Sequence, residues 1–285
     1  METPTWIDDF VACIERATLE KPTIDEAIAI KQAHLPKSIY KYRRADDRAI
    51  ENLKNDLVWM ASPETYNDPY DCSFTVVEET AVEEFLKTAH GKFIEREVKF
   101  DRQKIEQYIR NGVEALRNFR RTMKICSFSA ANDSLLMWGH YAGDHKGFCI
   151  EYDLEPLLAT DPIRRNLYPV MYSKDLYDMT EYFNGTVTAE RSDFSPLLPL
   201  LSVLRKFDGW KYEQEWRLIR FNKWPSPDHT QQMPKAKRVI LGSKMPEPKA
   251  REIAAICAGL GIEVWKMSMS MERFELTAEP YVSAA

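Results

Sequence analysis

The apolar residues of this chain come in short runs. Ile39-Tyr40-Lys41-Tyr42-Arg43, Leu57-Val58-Trp59-Met60 and residues 123–128, 147–152, 216–221, 239–242 and 262–267 are each only four to six residues long. They are rich in aromatic and β-branched residues, and most are bounded by turn formers, as strands are. None approaches the roughly 18 apolar residues needed to cross a bilayer. Between them lie segments with apolar residues at helical spacing. A half-buried strand needs a helix to cover its apolar face, so alternation of this kind specifies an α+β fold. The expected architecture is a mixed or antiparallel sheet flanked by helices, with further helices at the N-terminus and in an insertion.

The order of segments divides the chain. Residues 1–35 read as an N-terminal helical segment. Trp6, Phe10, Ile14 and Ala17 recur at helical spacing, and a second helix is expected over residues 23–33, ending before Pro36. Residues 36–285 read as a single α+β domain. A helical insertion at about residues 80–121 interrupts it, predicted over 81–98 and 103–121, with Ile105, Ile109, Val113 and Leu116 forming one apolar stripe. Short helices are expected over 49–55, 135–142 and 197–207. A helix over 248–258 between two strands ends the chain, with Gly259-Leu260-Gly261 as its C-cap; a dinucleotide fingerprint would follow a strand and open a helix.

Charge and cysteine usage narrow the class. Lys and Arg number 39 against 44 Asp and Glu, a net charge of −5. That balance excludes a general nucleic-acid coat, while leaving room for a local basic groove. The first ten residues are acidic and aromatic, unlike a signal peptide, and a cytoplasmic location is the expectation. The five cysteines, Cys13, Cys72, Cys126, Cys149 and Cys257, form no C-x-x-C pair. An odd, scattered set in a chain this long argues against a disulfide framework or a zinc ribbon, and each reads as a small core residue.

Five short stretches stand out from this background. They are Tyr40-Lys41-Tyr42-Arg43, Asn67-Asp68-Pro69-Tyr70-Asp71, Cys126-Ser127-Phe128-Ser129, Met137-Trp138 through Gly147-Phe148, and Tyr212-Glu213-Gln214-Glu215-Trp216-Arg217. With a period of two, Lys41 and Arg43 share one strand face and Tyr40 and Tyr42 the other; Ser127 and Ser129 likewise share a face. In this order the five pieces resemble a family of bacterial and phage proteins catalogued as domain of unknown function 2971. The family name carries no activity, so the residues must supply one.

The order Arg43, Ser127-Phe128-Ser129, Glu213-Gln214-Glu215 is also similar to the Arg…Ser-x-Ser…Glu-x-Glu pattern of ADP-ribosyltransferases. Phe128 stands where that family usually has Thr, and inserted helices lengthen the gap. The resemblance implies NAD as substrate and no metal. It implies that Arg43 grips the phosphates and that Ser127 steadies the nicotinamide ribose. Glu215 would support positive charge at C1′ as nicotinamide leaves, and Glu213 would orient the acceptor. The residue types suit that chemistry: a fixed carboxylate stabilises an oxocarbenium-like centre, and an arginine fork fits phosphate oxygens. Glu215, Glu213 and Ser127 are the catalytic candidates. Arg43, Tyr42, Ser129, Trp138, His140 and Tyr141 are the candidates for holding the nucleotide. The implied setting is a bacterial or phage defence or stress system, with the acceptor open and a homo-oligomer or regulatory partner left open.

Plainer readings stand beside these. Asn67-Asp68-Pro69 is a good turn former. Trp138 and Tyr141, three apart, pack as core as readily as they stack on a ligand; Trp210, Tyr212 and Trp216 read as packing. His140 and His145 do not have the spacing of a helical zinc pair, and His140 is the general-base candidate. An ion pair with Arg217 would explain Glu151 as well as a functional role would. Two adjacent same-face glutamates repel, however, and need neutralising or a function. The alternatives to the transferase are a non-catalytic nucleotide-sensing or binding module, and a metal-dependent nuclease or phosphoesterase built from Asp68, Asp71, Glu151, Glu213 and Glu215.

Overall fold

A computed structural model describes residues 5–17, 24–87, 92, 102–120, 122–180, 197–221 and 229–282. The expected helix over residues 81–98 falls largely outside them.

The helices are α1 (Thr5–Arg16), α2 (Ile24–Ala33), α3 (Asp47–Lys54), α4 (Glu78–Lys87), α5 (Arg102–Arg120), α6 (Leu135–Tyr141), α7 (Pro162–Asn166), α8 (Leu198–Leu204) and α9 (Glu247–Leu260). The strands are β1 (Ser38–Arg43), β2 (Leu57–Trp59), β3 (Phe74–Thr75), β4 (Met123–Ser129), β5 (Phe148–Asp153), β6 (Leu167–Pro169), β7 (Met171–Ser173), β8 (Tyr177–Asp178), β9 (Arg205–Phe207), β10 (Glu215–Phe221), β11 (Thr230–Gln232), β12 (Arg238–Leu241), β13 (Glu263–Met269) and β14 (Leu276–Pro280). The architecture is a large mixed sheet with helices around it. Eight strands pair in the order β14-β13-β12-β5-β1-β4-β10-β6. Only β12 and β13 run parallel within that sheet, joined through α9 as parallel neighbours must be.

Capping side chains start the short helices. Asp46 accepts the Ala49 amide at α3, and Ser134 that of Met137 at α6. Gly261 closes α9 in the left-handed region at φ 65°, as the C-cap reading expects. The leucine-rich stretch departs from expectation. Its helix stops at Leu204, and residues 205–207 pair with β7 as a strand. Lys206 thereby alternates away from Arg205 and Phe207.

Alternation also explains where the core sits. Ile39 of β1, Cys126 and Phe128 of β4, Ile150 and Tyr152 of β5, and Trp216 and Leu218 of β10 bury against α3 and α9 on one face of the sheet. On the other face two clusters form. One joins Met123, Ile125 and Ile219 to α1, α4, α5 and α8. The second gathers Tyr42, Trp138, Cys149, Ile240 and Met267 beneath α6. The N-terminal helices belong to this packing. Phe10 and Ile14 are fully buried, and the Trp6 ring lies 6.2 Å from that of Trp216.

The centre of the sheet is loosely joined. Strand β1 pairs with β5 over six positions, yet with β4 only at Tyr40↔Ser129. Beyond that point the Lys41 ammonium donates to the Ser127 carbonyl at 2.6 Å. A side chain there replaces a ladder amide, and the strands diverge into a pocket.

Candidate functional site

The pocket at this divergence has a cavity volume of about 160 Å³. Tyr40 and Tyr42 come to it from β1, Ser127 and Ser129 from β4, and Tyr141 from the end of α6. Its floor carries Asp71, Lys206, Glu213 and Glu215. Of the expected residues, then, Glu213, Glu215, Ser127, Ser129, Tyr42 and Tyr141 come together here.

A backbone kink brings the two glutamates to one cation. Glu213 ends a short 3-10 helix, Glu215 opens β10, and Gln214 between them is left-handed at φ 44°. The Lys206 ammonium contacts Glu213 Oε2 at 2.5 Å, Glu215 Oε2 at 2.8 Å and Asp71 Oδ2 at 3.5 Å. Arg217, fully buried, reaches Glu215 Oε1 through Nε at 2.8 Å and Asp71 Oδ1 through Nη2 at 2.6 Å. Its other nitrogen donates to the Val203 carbonyl and approaches the Cys72 sulfur at 3.1 Å. Three carboxylates thus surround two cations in a nearly dry space, where removing either cation would leave buried charge unpaired.

Hydroxyl groups complete the cluster. Tyr141 Oη donates to Glu213 Oε1 at 2.6 Å. The Glu215 amide donates to Tyr172 Oη at 2.8 Å. Ser129 Oγ donates to the Glu213 carbonyl at 2.6 Å and accepts the Ala131 amide at 3.1 Å, so it holds the backbone and has little left for a ligand. Tyr42 Oη is likewise spent on the Ala131 carbonyl. Ser127, partly buried, lines the wall with its side chain on the same face.

The two glutamates titrate in opposite directions. Burial raises the Glu213 carboxyl above its ordinary value; the Lys206 charge pulls against this, and the neighbouring Glu215 charge adds to it. Burial acts on Glu215 in the same sense, but Arg217 and Lys206 outweigh it and hold that carboxylate ionised. For Lys206 burial disfavours the charge, and Glu215 and Glu213 more than restore it. Burial, opposed by Arg217, pushes the Cys72 thiol up to about 12, so it stays protonated.

Three expected ligand-holding residues lie elsewhere. Arg43 is absent from the pocket lining, which takes Tyr40, Lys41 and Tyr42 from β1; its charge acts on Tyr152 instead. Trp138 is fully buried core, its indole donating to the Asn132 carbonyl and its ring edge-on to Tyr42 at 5.2 Å. His140 is exposed outside the lining and meets Tyr212 Oη at 2.9 Å. The acids of the metal-dependent reading divide as well. Asp71, Glu213 and Glu215 gather around an ammonium group. Asp68 accepts the Tyr70 amide and the Trp210 indole, and Glu151 accepts from Ser38 and faces Arg238 rather than Arg217. Among the described residues no group of three or more His, Cys, Asp or Glu is arranged to hold a metal ion.

Lys206 and Tyr172 escaped the sequence reading. Lys206 had one signal: it is a charged residue alternating with Arg205 and Phe207 directly after an apolar run.

Residues 137–218 match the family described as Protein of unknown function (DUF2971). The match runs from α6 through β10 and so contains Tyr141, Lys206, Glu213, Glu215 and Arg217. No curated protein and no solved structure matches the chain.

Proposed function

We propose that this chain cleaves the N-glycosidic bond of a nicotinamide nucleotide, NAD in the first instance, as an ADP-ribosyltransferase-like or NAD glycohydrolase-like enzyme. One observation carries the reading: two carboxyl groups on one ammonium, pushed to opposite titration behaviour, at the floor of an aromatic pocket. Environments that separate a carboxyl pair in this way assign them different roles. Glu215, held ionised, is the group to oppose positive charge at C1′ as the C1′–N bond breaks and nicotinamide leaves with the bonding pair. Glu213, the more basic carboxylate, is the group to take the proton of the acceptor hydroxyl or water as the C1′–O bond forms. Tyr40, Tyr42 and Tyr66 supply walls of the size and flatness of a nicotinamide ring. Nicotinamide release from NAD by wild type, lost in Glu215→Gln and reduced at unchanged melting temperature in Ser127→Ala, is the expected result. No release and no NAD binding at millimolar concentration refutes it.

A second reading, a nucleotide-binding module without catalysis, has its own support. Both Glu215 oxygens are already occupied, Oε1 by Arg217 and Oε2 by Lys206 and Arg217, as in a purely structural ion pair. That reading predicts saturable NAD binding without release.

A further inference from the structure

A second pocket adjoins the first across a shared wall. Its cavity volume is about 440 Å³, and its lining includes Asp68, Tyr70, Lys174, Arg205 and Phe207. Lys206 borders both pockets. The wall has two parts, and each alternates. In β9, Lys206 turns to the acids, while Arg205 and Phe207 line the second pocket. In the loop before β3, Asn67 and Asp71 line the first pocket, and Asp68 and Tyr70 the second. Asp68 is fixed, its oxygens accepting the Tyr70 amide and the Trp210 indole at 2.8 Å each.

This second pocket combines three features that packing does not explain. Tyr70 is 67% exposed and Phe207 54% exposed, which is unusual for rings held on a structured wall. The Phe207 ring is seated on Gly209, where a Cβ would lie 2.5 Å from a ring carbon. Arg205 meets the Tyr177 ring at 5.5 Å, yet its buried Nε has no hydrogen-bond partner among the described residues. A buried guanidinium N–H left unmatched is costly. Lys174 adds a second, exposed cation, and Asp175 beside it is exposed as well.

Flat exposed rings together with two cations, Arg205 and Lys174, fit a ligand that is planar at one end and anionic at the other. We infer that the second pocket holds a nucleoside monophosphate group, its base on Tyr70 and Phe207 and its phosphate on Arg205 and Lys174. The substrate is then two-ended, with its glycosidic bond over Glu213 and Glu215 and a second nucleotide across the wall. In that respect the inference rests on the proposed function, and it moves the phosphate contact from Arg43 to Arg205.

The test uses the full chain and two probes, adenosine monophosphate for the second pocket and nicotinamide mononucleotide for the first. Calorimetry is expected to show saturable adenosine monophosphate binding, weakened at least tenfold by Arg205→Gln and by Tyr70→Ala with Phe207→Ala. Nicotinamide mononucleotide binding is expected to be unchanged in those variants. These side chains are outside the core clusters, and melting temperature checks that the variants fold. No binding of adenosine monophosphate at millimolar concentration, or binding indifferent to both variants, overturns the inference. Failure of nicotinamide mononucleotide to bind or react, with adenosine monophosphate still bound through Arg205, refutes the proposed chemistry and leaves the second pocket standing.

Discussion

Three lysines are buried among the described residues, and two of them, Lys206 and Lys31, behave in opposite ways. Lys206 sits among Asp71, Glu213 and Glu215 and is held charged. Lys31, with no exposed surface, donates to the Arg164 and Arg165 carbonyls at 3.0 and 2.6 Å and stands 4.3 Å over the Tyr168 ring. There burial, helped by the charges of Arg165 and Arg164, pulls the ammonium down to about 7. Burial pushes both toward neutrality; carboxylates are present at one and absent at the other. The contrast shows that the charge around Lys206 is built, at the expense of gathering three acids. A fold needing only to close its core had the Lys31 solution to hand.

Removing each amine breaks the comparison most severely. Lys206→Met leaves three acids facing Arg217 and is expected to cost about 3–5 kcal/mol in chemical denaturation at neutral pH. Adding Glu213→Gln should recover part of that loss. A cost under about 1 kcal/mol would mean the acids are not ionised together. The second effect is the pH slope that Lys31 imposes. Its folded value near 7 lies below the ordinary 10.5, so the unfolded chain binds the extra proton between those values. Wild type should therefore gain stability from pH 7 to pH 10, on the order of 3 kcal/mol relative to Lys31→Met. Parallel pH curves for the two proteins would contradict the burial argument.

Smaller effects sharpen the picture within the acid cluster. Glu213 is raised in the folded state, so its contribution is present at acid pH and lost as pH rises through its folded value. Glu215 is lowered, so its contribution is present above the ordinary glutamate range and lost on acidification. Glu213→Gln should gain on wild type as pH rises from the acid side toward neutrality, and Glu215→Gln should lose, both followed by melting temperature across pH. The same sign for both would show that the pair is not split. The smallest change is expected on α5, where Arg110 meets Glu78 and Glu106 at 3.6 and 4.0 Å in the open. Arg110→Ala should shift stability by no more than about 0.5 kcal/mol.

Much of the sheet was legible because strand and helix periods differ. Tyr40 and Tyr42 facing away from Lys41 and Arg43, and the shared face of Ser127 and Ser129, follow from a period of two. That rule does not place Arg43: Lys41, on the same face, lines the pocket, and Arg43, to which motif order pointed, does not. The α9 cap at Gly261 and the turn at Asp68 were readable from local backbone chemistry. Lys206 was not, because a single lysine after Leu204 carries no local sign of the acids it meets. Asp71 reaches it from a loop 135 residues earlier in the chain. The stretch over 197–207 was misread for a related reason: leucine content favours helix, while pairing of residues 205–207 with β7 is a long-range contact. Trp138 was ambiguous for want of a partner, which Tyr42 supplies.

The single pairing between β1 and β4 has a consequence beyond pocket shape. Strand β1 is locked to β5 by six pairs, and β4 to β10 by seven, so the sheet is two firm leaves joined at a crease. A molecule seated between Tyr40 and Ser127 would touch both leaves and act as a staple across that crease. Its arrival would be recorded as slowed amide exchange along the facing edges of β1 and β4, with β5 and β10 exchanging as before.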